Sequence, residues 1–161
     1  MAQRKKHGLI TTGVVADNRR ARHEYTLEDA LEAGLLLTGS EVKSLRLGQA
    51  NLAEAHVAPK GGALWLLNAH IAEYAQAGAH LQHAPRRARK LLLKQREIDR
   101  LSGAVARAGY TIVPLRLYFN DRGIAKLAIA LGRGKKLHDK RQSAKARDWA
   151  RSKARLLREK R

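Results

Sequence analysis

Along the first 131 residues, apolar positions come in short bursts separated by turn residues, and most bursts alternate as strands do. Residues 9–16, with Ile10, Val14 and Val15, predict a β-strand ended by Asp17-Asn18. Thr26-Leu27-Glu28-Asp29 has the form of a helix start, Leu27, Ala30 and Leu31 make one face, and Gly34 is placed as a stop, so a short helix is expected over 27–33. Residues 35–47 read as a long strand whose apolar parity shifts near Gly39 and Val42, the pattern of a bulge or sharp bend. Residues 52–58 and 63–71 read as a hairpin around Pro59-Lys60-Gly61-Gly62.

Residues 72–90 show no period and predict a long loop. An amphipathic helix follows over 94–108, with Ile98, Leu101, Val105 and Ala108 on one stripe and Gly109 after it. A second hairpin spans 110–119 and 124–131, and Pro114, lacking an N–H, requires an edge or a bulge there. About six strands and two helices in one domain suggest a barrel or a sandwich. A mainly β fold with flanking helices, a small OB-type Greek-key barrel, fits best.

The pattern changes at residue 132. Beyond it only Ala146, Trp149, Ala150, Ala154 and Leu157 hold a helical spacing, a stripe too narrow for a core. Alone in water such a segment is a marginal helix, and segments of this kind commonly order on binding. The chain thus divides into a flexible basic start, 1–8, a barrel, 9–131, and a basic tail, 132–161, with Gly132 and Gly134 as the hinge.

Charge sharpens that division. The chain of 161 residues carries 33 Lys+Arg, 14 Asp+Glu and a net charge of +19. Residues 132–161 hold 13 of the cations and 3 of the acids. So uneven an excess points to a polyanion, nucleic acid first and an anionic membrane second. The longest apolar runs are far too short to span a bilayer, and the basic start has no signal-peptide core. The absence of cysteine excludes disulfides and fits a reducing, cytoplasmic setting. Aromatic residues are only 4% of the chain, which argues against an RRM-like stacking platform.

Catalytic and metal chemistry find little footing. His23, Glu24, Glu28, Asp29, Glu32 and Glu41 resemble a magnesium-binding set only in composition, and helix-surface charge accounts for most of them. His80 and His83 lack the further ligands a zinc site needs. No P-loop pattern occurs. No enzyme, metal or cofactor is expected. What remains is RNA binding, with Asn18, His23 and Tyr25 beside the basic cluster Arg19-Arg20-Ala21-Arg22, and with His138 as a planar ring among cations.

Ordered blocks then carry a resemblance. They are Asn18-Arg19-Arg20-Ala21-Arg22-His23-Glu24-Tyr25, Glu32-Ala33-Gly34, and Thr38-Gly39-Ser40-Glu41-Val42-Lys43-Ser44-Leu45-Arg46. Ala50-Asn51-Leu52, Leu67-Asn68-Ala69-His70-Ile71, Pro85-Arg86-Arg87-Ala88-Arg89-Lys90-Leu91-Leu92-Leu93 and Gly134-Lys135-Lys136-Leu137-His138-Asp139-Lys140-Arg141 follow in order. Together they resemble the bacterial SsrA-binding protein (SmpB) family, with Thr26 standing where a bulky apolar residue is common. The resemblance implies binding of the tRNA-like domain of transfer-messenger RNA (tmRNA). It implies delivery of that RNA to stalled ribosomes for trans-translation, with EF-Tu and alanyl-tRNA synthetase acting on the same RNA. Implied RNA contacts are Asn18, Arg19, Arg20, Arg22, His23, Tyr25, Glu32, Lys43, Arg46, Arg86, Arg87, Arg89, Lys90 and Leu92. Implied for the small-subunit decoding centre and messenger channel are Gly132, Gly134, Lys135, Lys136, His138, Asp139, Lys140, Arg141 and Trp149. A structural ribosomal protein, needing its tail for RNA affinity, is the competing class, and a nuclease the third.

Overall fold

A computed structural model describes residues 8–107 and 109–159. In order these form β1 (Gly13–Asp17), α1 (Arg19–Glu24), β2 (Tyr25–Leu35), α2 (Gly39–Arg46), β3 (Ala50–Asn51), β4 (His56–Lys60), β5 (Ala63–Leu67), β6 (His70–Ile71), β7 (Arg89–Leu92), α3 (Gln95–Val105), β8 (Tyr110–Phe119), β9 (Ala125–Gly134) and α4 (Leu137–Glu159). A single 3₁₀ turn, Ala79–Leu81, sits in the long loop. All pairings are antiparallel. The order β8-β4-β5-β7-β2-β9 returns to β8 through the β8–β9 hairpin, so six strands close a ring, and β1 adds to the free half of β8. Closure removes the open edges an isolated sheet would present.

The ring is filled by alternate residues of each strand, as a period of two requires. Leu64 and Leu66 of β5, Leu91 of β7, Ile112 and Leu117 of β8, and Leu127 and Ile129 of β9 are essentially inaccessible. Helix α3 adds Ile98 and Leu101 of its sequence stripe to the same core, with Val105 partly buried and Ala104, outside the stripe, buried beside them. Ala108 of that stripe lies outside the described residues, as does all of the basic start except Gly8.

Both hairpins form where the turn residues place them, and Pro114 sits at a bulge between β8 and β9. The stretch 27–33 is strand, not helix. Leu27 and Leu31 are four apart, a spacing that suits a helix face, yet their partners on β9, Gly132 and Ile129, are only three apart. Pairing with β9 from Tyr25↔Gly134 to Gly34↔Lys126 decides for the strand. The extra residue is taken up near Asp29, whose φ is +55°. Conversely, 35–47 is not one strand. The strand ends at Leu35, and α2 begins after Thr38 with a capping box in which Thr38 and Glu41 satisfy each other's backbone amides. The apparent parity shift from Val42 to Leu45 is a helical step of three.

Nine strands and four α-helices replace the expected six and two among the described residues. The surplus comes from the two-residue pair β3–β6, from β7 at the end of the aperiodic loop, from α1, made by the basic cluster itself, and from the tail helix α4. Strand β9 also runs past Leu131 to Gly134, and the Lys135 amide donates to the Glu24 carbonyl at 2.9 Å. Thus Gly132 and Gly134 belong to the barrel wall, and neither has a positive φ. A Cβ on Gly132 would lie 2.8 Å from Val113 Cγ2 and 3.1 Å from Tyr25 Cδ1, so close packing, not hinge freedom, requires glycine there.

Candidate nucleic-acid interface

The first basic cluster is held rigidly at its root. Asn18 is buried, its amide donates to the Leu115 carbonyl at 2.8 Å and its Nδ2 to the Pro114 carbonyl at 2.9 Å. Ala21 turns into the protein, leaving Arg19, Arg20 and Arg22 exposed on α1. Tail helix α4 and the link before it lean on this turn: Arg147 donates to His23 Nδ1 at 2.9 Å and Lys135 Nζ to the Arg22 carbonyl at 2.9 Å. Between them lies a cleft of ≈ 400 Å³ lined by Arg19, Arg22, His23, Lys135 and Arg147, with Asp17 as its one acid. So dense a set of cations attracts an anion.

The second basic cluster divides in two. Glu41 is fully buried, and Arg87 and Arg89 both clamp its carboxylate at 2.8–2.9 Å. Arg89 is as buried as Glu41 and also donates to the carbonyls of Ala69 and Pro85. Burial pushes the Glu41 carboxyl up, but the bonds from Arg87 and the Thr38 amide, with the charge of Arg89, outweigh it and hold the pKa at about 2. The same ion pair drives the Arg87 guanidinium up. Arg89 is therefore a core cation and not an accessible RNA contact. Of its neighbours, Arg87 is partly committed inward, whereas Arg86, on an exposed pair with Glu54, and Lys90 face solvent. Arg46 is likewise occupied: its guanidinium stacks on Phe119 and donates to the carbonyls of Ile10, Thr11 and Gly123. Lys43 is exposed, its ammonium 5.5 Å from the Tyr74 ring.

A third group lies on the outer wall. Tyr118, Lys126, Gly34 and Leu92 are successive partners across β8, β9, β2 and β7, so they share one face. Arg116, Ala128 and Glu32 form the adjacent rung. The Tyr118 hydroxyl donates to Glu32, and Lys126 Nζ stands 3.9 Å from its other oxygen. Gly34 leaves a dip beside the half-exposed Leu92, since a Cβ there would meet Leu92 Cβ at 3.1 Å. Glu32 thus sits on a strand and not at a helix end, and Tyr25 lies on the same strand.

Along the tail, Lys136, Arg141 and Trp149 are exposed and Lys140 half-buried. Trp149, Leu156 and Leu157 are all more than 60% exposed, and the Lys153 ammonium of the same helix lies over the Trp149 ring. His138 and Asp139 lie in α4, and their side chains are outside the described residues. The structure adds Arg147, Arg116, Tyr118 and Lys126, which carry no local signal and join the others only through strand register and the packing of α4. No grouping of three metal-ligand side chains occurs among the described residues. His83 is buried with Nδ1 on Ser40 Oγ and Nε2 on the Ile71 carbonyl, a structural histidine. None of the described helices is long and apolar enough to cross a membrane.

Comparison with known proteins converges. The family model described as "SmpB protein" matches residues 15–159. The chain is 60% identical over 154 residues to the SsrA-binding protein of Chelativorans sp., covering 96% of this chain and 97% of that one. It is 55% identical over 159 residues to the SsrA-binding protein of Sinorhizobium fredii, with 99% of each covered. A chain from the solved structure described as "tmRNA-SmpB: a journey to the center of the bacterial ribosome" superposes with a TM-score of 0.63 at 44% identity, over 79% of this chain and 86% of that one.

Proposed function

The chain belongs to the SmpB family, and from that membership we propose that it binds tmRNA through its tRNA-like domain and delivers it to stalled ribosomes for trans-translation. The carrying observation is the extent of the match: it takes in both the closed barrel and the cationic helix, so the two-part architecture is shared and not the barrel alone. The protein acts by binding, without cofactor or catalysis, in the cytoplasm.

Within this reading the work divides between the parts. The exposed cations of α1, with Arg86, Lys90 and Lys43, meet RNA phosphates, while Glu32 and Leu92 add contacts of shape and polarity. Helix α4 acts on the ribosome. Its exposed stripe from Trp149 to Leu157 lies against the messenger channel, Lys136, Lys140 and Arg141 neutralise phosphates, and His138 stacks on a base of the decoding centre. Because β9 runs to Gly134 and α4 begins at Leu137, the tail is best separated by a cut after Lys136.

A chain cut after Lys136 tests this division. It is expected to bind tmRNA within about tenfold of the full chain, with a salt slope lowered by about 0.7–0.9 for each phosphate no longer neutralised, and to fail in tagging nascent chains on stalled ribosomes. Folded protein that cannot shift tmRNA at moderate salt, or that shifts an unrelated structured RNA equally well, would favour a general RNA-binding role. A charge-preserving scramble of 143–161 that tags at the full rate would reduce the tail to charge alone.

A further inference from the structure

On the outer wall, Tyr118 is tied to a site residue without belonging to either basic cluster. It lies on β8, two strands from Glu32, and its phenol reaches across β9 to donate to Glu32 Oε2. Lys126, on the intervening strand, stands 3.9 Å from Oε1. Arg116 holds its guanidinium 5.7 Å from the centre of the Tyr118 ring, so the ring has a cation on its face. Glu32 itself remains half exposed, with its side chain 51% accessible.

A glutamate so exposed on a strand ordinarily samples several rotamers. Here one oxygen is fixed by a neutral donor. A hydroxyl orients the carboxylate without cancelling its charge, as an arginine in the same place would. Half exposed, the carboxylate remains accessible from the wall that carries Leu92 and the Gly34 dip, with Lys126 beside its other oxygen. In this arrangement Glu32 is an ordered acceptor among cations. It suits a ligand group that is a hydrogen-bond donor in an otherwise anionic molecule, as a nucleobase amino or imino group is.

We infer that Tyr118 is a positioning residue for RNA recognition: its hydroxyl fixes the Glu32 carboxylate so that a base N–H donor of the bound RNA meets a preset acceptor. This rests on the reading of Glu32 as an RNA contact. The environment agrees with a donor role, since burial and the neighbouring Glu32 push the phenol up to about 12, leaving it protonated at every pH at which the protein would be assayed. Glu32 is the hydroxyl's hydrogen-bond partner among the described residues.

The test is a double-mutant cycle on the full chain with purified tmRNA, comparing wild type, Tyr118→Phe, Glu32→Gln and the double variant. Thermal melting accompanies each. Tyr118→Phe keeps the ring and removes only the hydroxyl, so it is expected to fold normally. It should weaken tmRNA binding about 5- to 10-fold, the scale of one ordinary hydrogen bond. The salt slope should not change, because no cation is removed. In the Glu32→Gln background the same substitution should change affinity less than about twofold. Full affinity in Tyr118→Phe, with Glu32→Gln weakened, would overturn the positioning role and leave Glu32 as a contact. Equal, additive losses in the double variant would also overturn it, making Tyr118 an independent contact. Full affinity in Glu32→Gln would overturn both.

Discussion

Two arginine-bearing regions of this molecule have opposite fates. In the barrel, Arg87 and Arg89 close on the buried carboxylate of Glu41, and Arg89 has no accessible surface. In α4 most basic side chains are exposed, and the bonds they make are to groups at the surface: Arg147 reaches His23 and the Ser143 carbonyl, and Lys153 lies over the Trp149 ring. Both regions read as basic clusters in sequence, yet one is scaffold and the other is charge turned to solvent. The difference lies in whether a strand's period turns the side chain inward and whether an acid waits there. Counting cations therefore overstates the RNA-facing charge of the barrel and not that of the tail.

The sharpest way to break this contrast is to remove the buried cation. Arg89→Ala leaves Glu41 short of a partner and the carbonyls of Ala69 and Pro85 without their donor. Removing one member of a buried pair costs about 3–5 kcal/mol. Urea denaturation followed by circular dichroism should show a loss of that order. A variant of wild-type stability that binds tmRNA poorly would instead make Arg89 an RNA contact.

Acid probes the same network from the other side. The Glu41 carboxyl is depressed from 4.5 to about 2 in the folded chain. A depressed carboxyl contributes stability that is complete above its unfolded value and lost as pH falls through its folded one. The window is thus roughly pH 4.5 down to 2, and the amount on the order of 3 kcal/mol. Stability measured across that window should fall more steeply in the wild type than in Glu41→Gln, which has no proton to take up at that position. Parallel curves would mean that the pair does not perturb Glu41.

How far the sequence discloses this network can be judged from its parts. The strands of the two hairpins, α3 and the helical spacing of the tail are legible because each carries a sustained period and a turn signal. Two signatures of the same form, Thr26-x-x-Asp29 and Thr38-x-x-Glu41, have opposite outcomes. Only the second begins a helix, because its acid is held from within by two arginines 46 and 48 residues away while the first is claimed by β9. Local spacing contains no record of either partner. For the same reason Arg89 looks like its neighbours in the sequence, and Tyr118 and Lys126 carry no local mark of their pairing with Glu32. The exposed basic residues of α1 are legible as a cluster, although not as a helix, since their chemistry needs no distant partner.

Between barrel and tail, the two glycines read as a hinge provide a smaller test. Gly132→Ala places a methyl 2.8 Å from Val113 Cγ2 and against the Tyr25 side chain, whereas nothing lies within 4 Å of a Cβ on Gly134. Overpacking of this kind costs about 1–3 kcal/mol, and an open surface site within about 0.5 kcal/mol. Thermal melts of the two variants should separate accordingly. Equal melting temperatures, with ribosomal tagging impaired in both, would restore the hinge.

The finest comparison sets Arg86 against Arg89, three residues apart in one basic run. Arg86 bonds Glu54 at 2.9 Å, but both side chains are more than half exposed. Solvent and salt screen such a pair, and it contributes at most about 1 kcal/mol to folding. Arg86→Ala should therefore leave the denaturation midpoint nearly unchanged, the reverse of Arg89→Ala. If Arg86 meets a phosphate, its removal should weaken tmRNA binding by a modest factor and lower the salt slope by about 0.7–0.9. Glu54→Ala separates the two parts of this expectation. Freeing Arg86 from its acid should leave RNA affinity equal or slightly higher, because the guanidinium no longer exchanges one anion for another. Weaker binding in Glu54→Ala would instead show that the carboxylate holds Arg86 in place, and that on this surface, too, an acid sets the position of a cation.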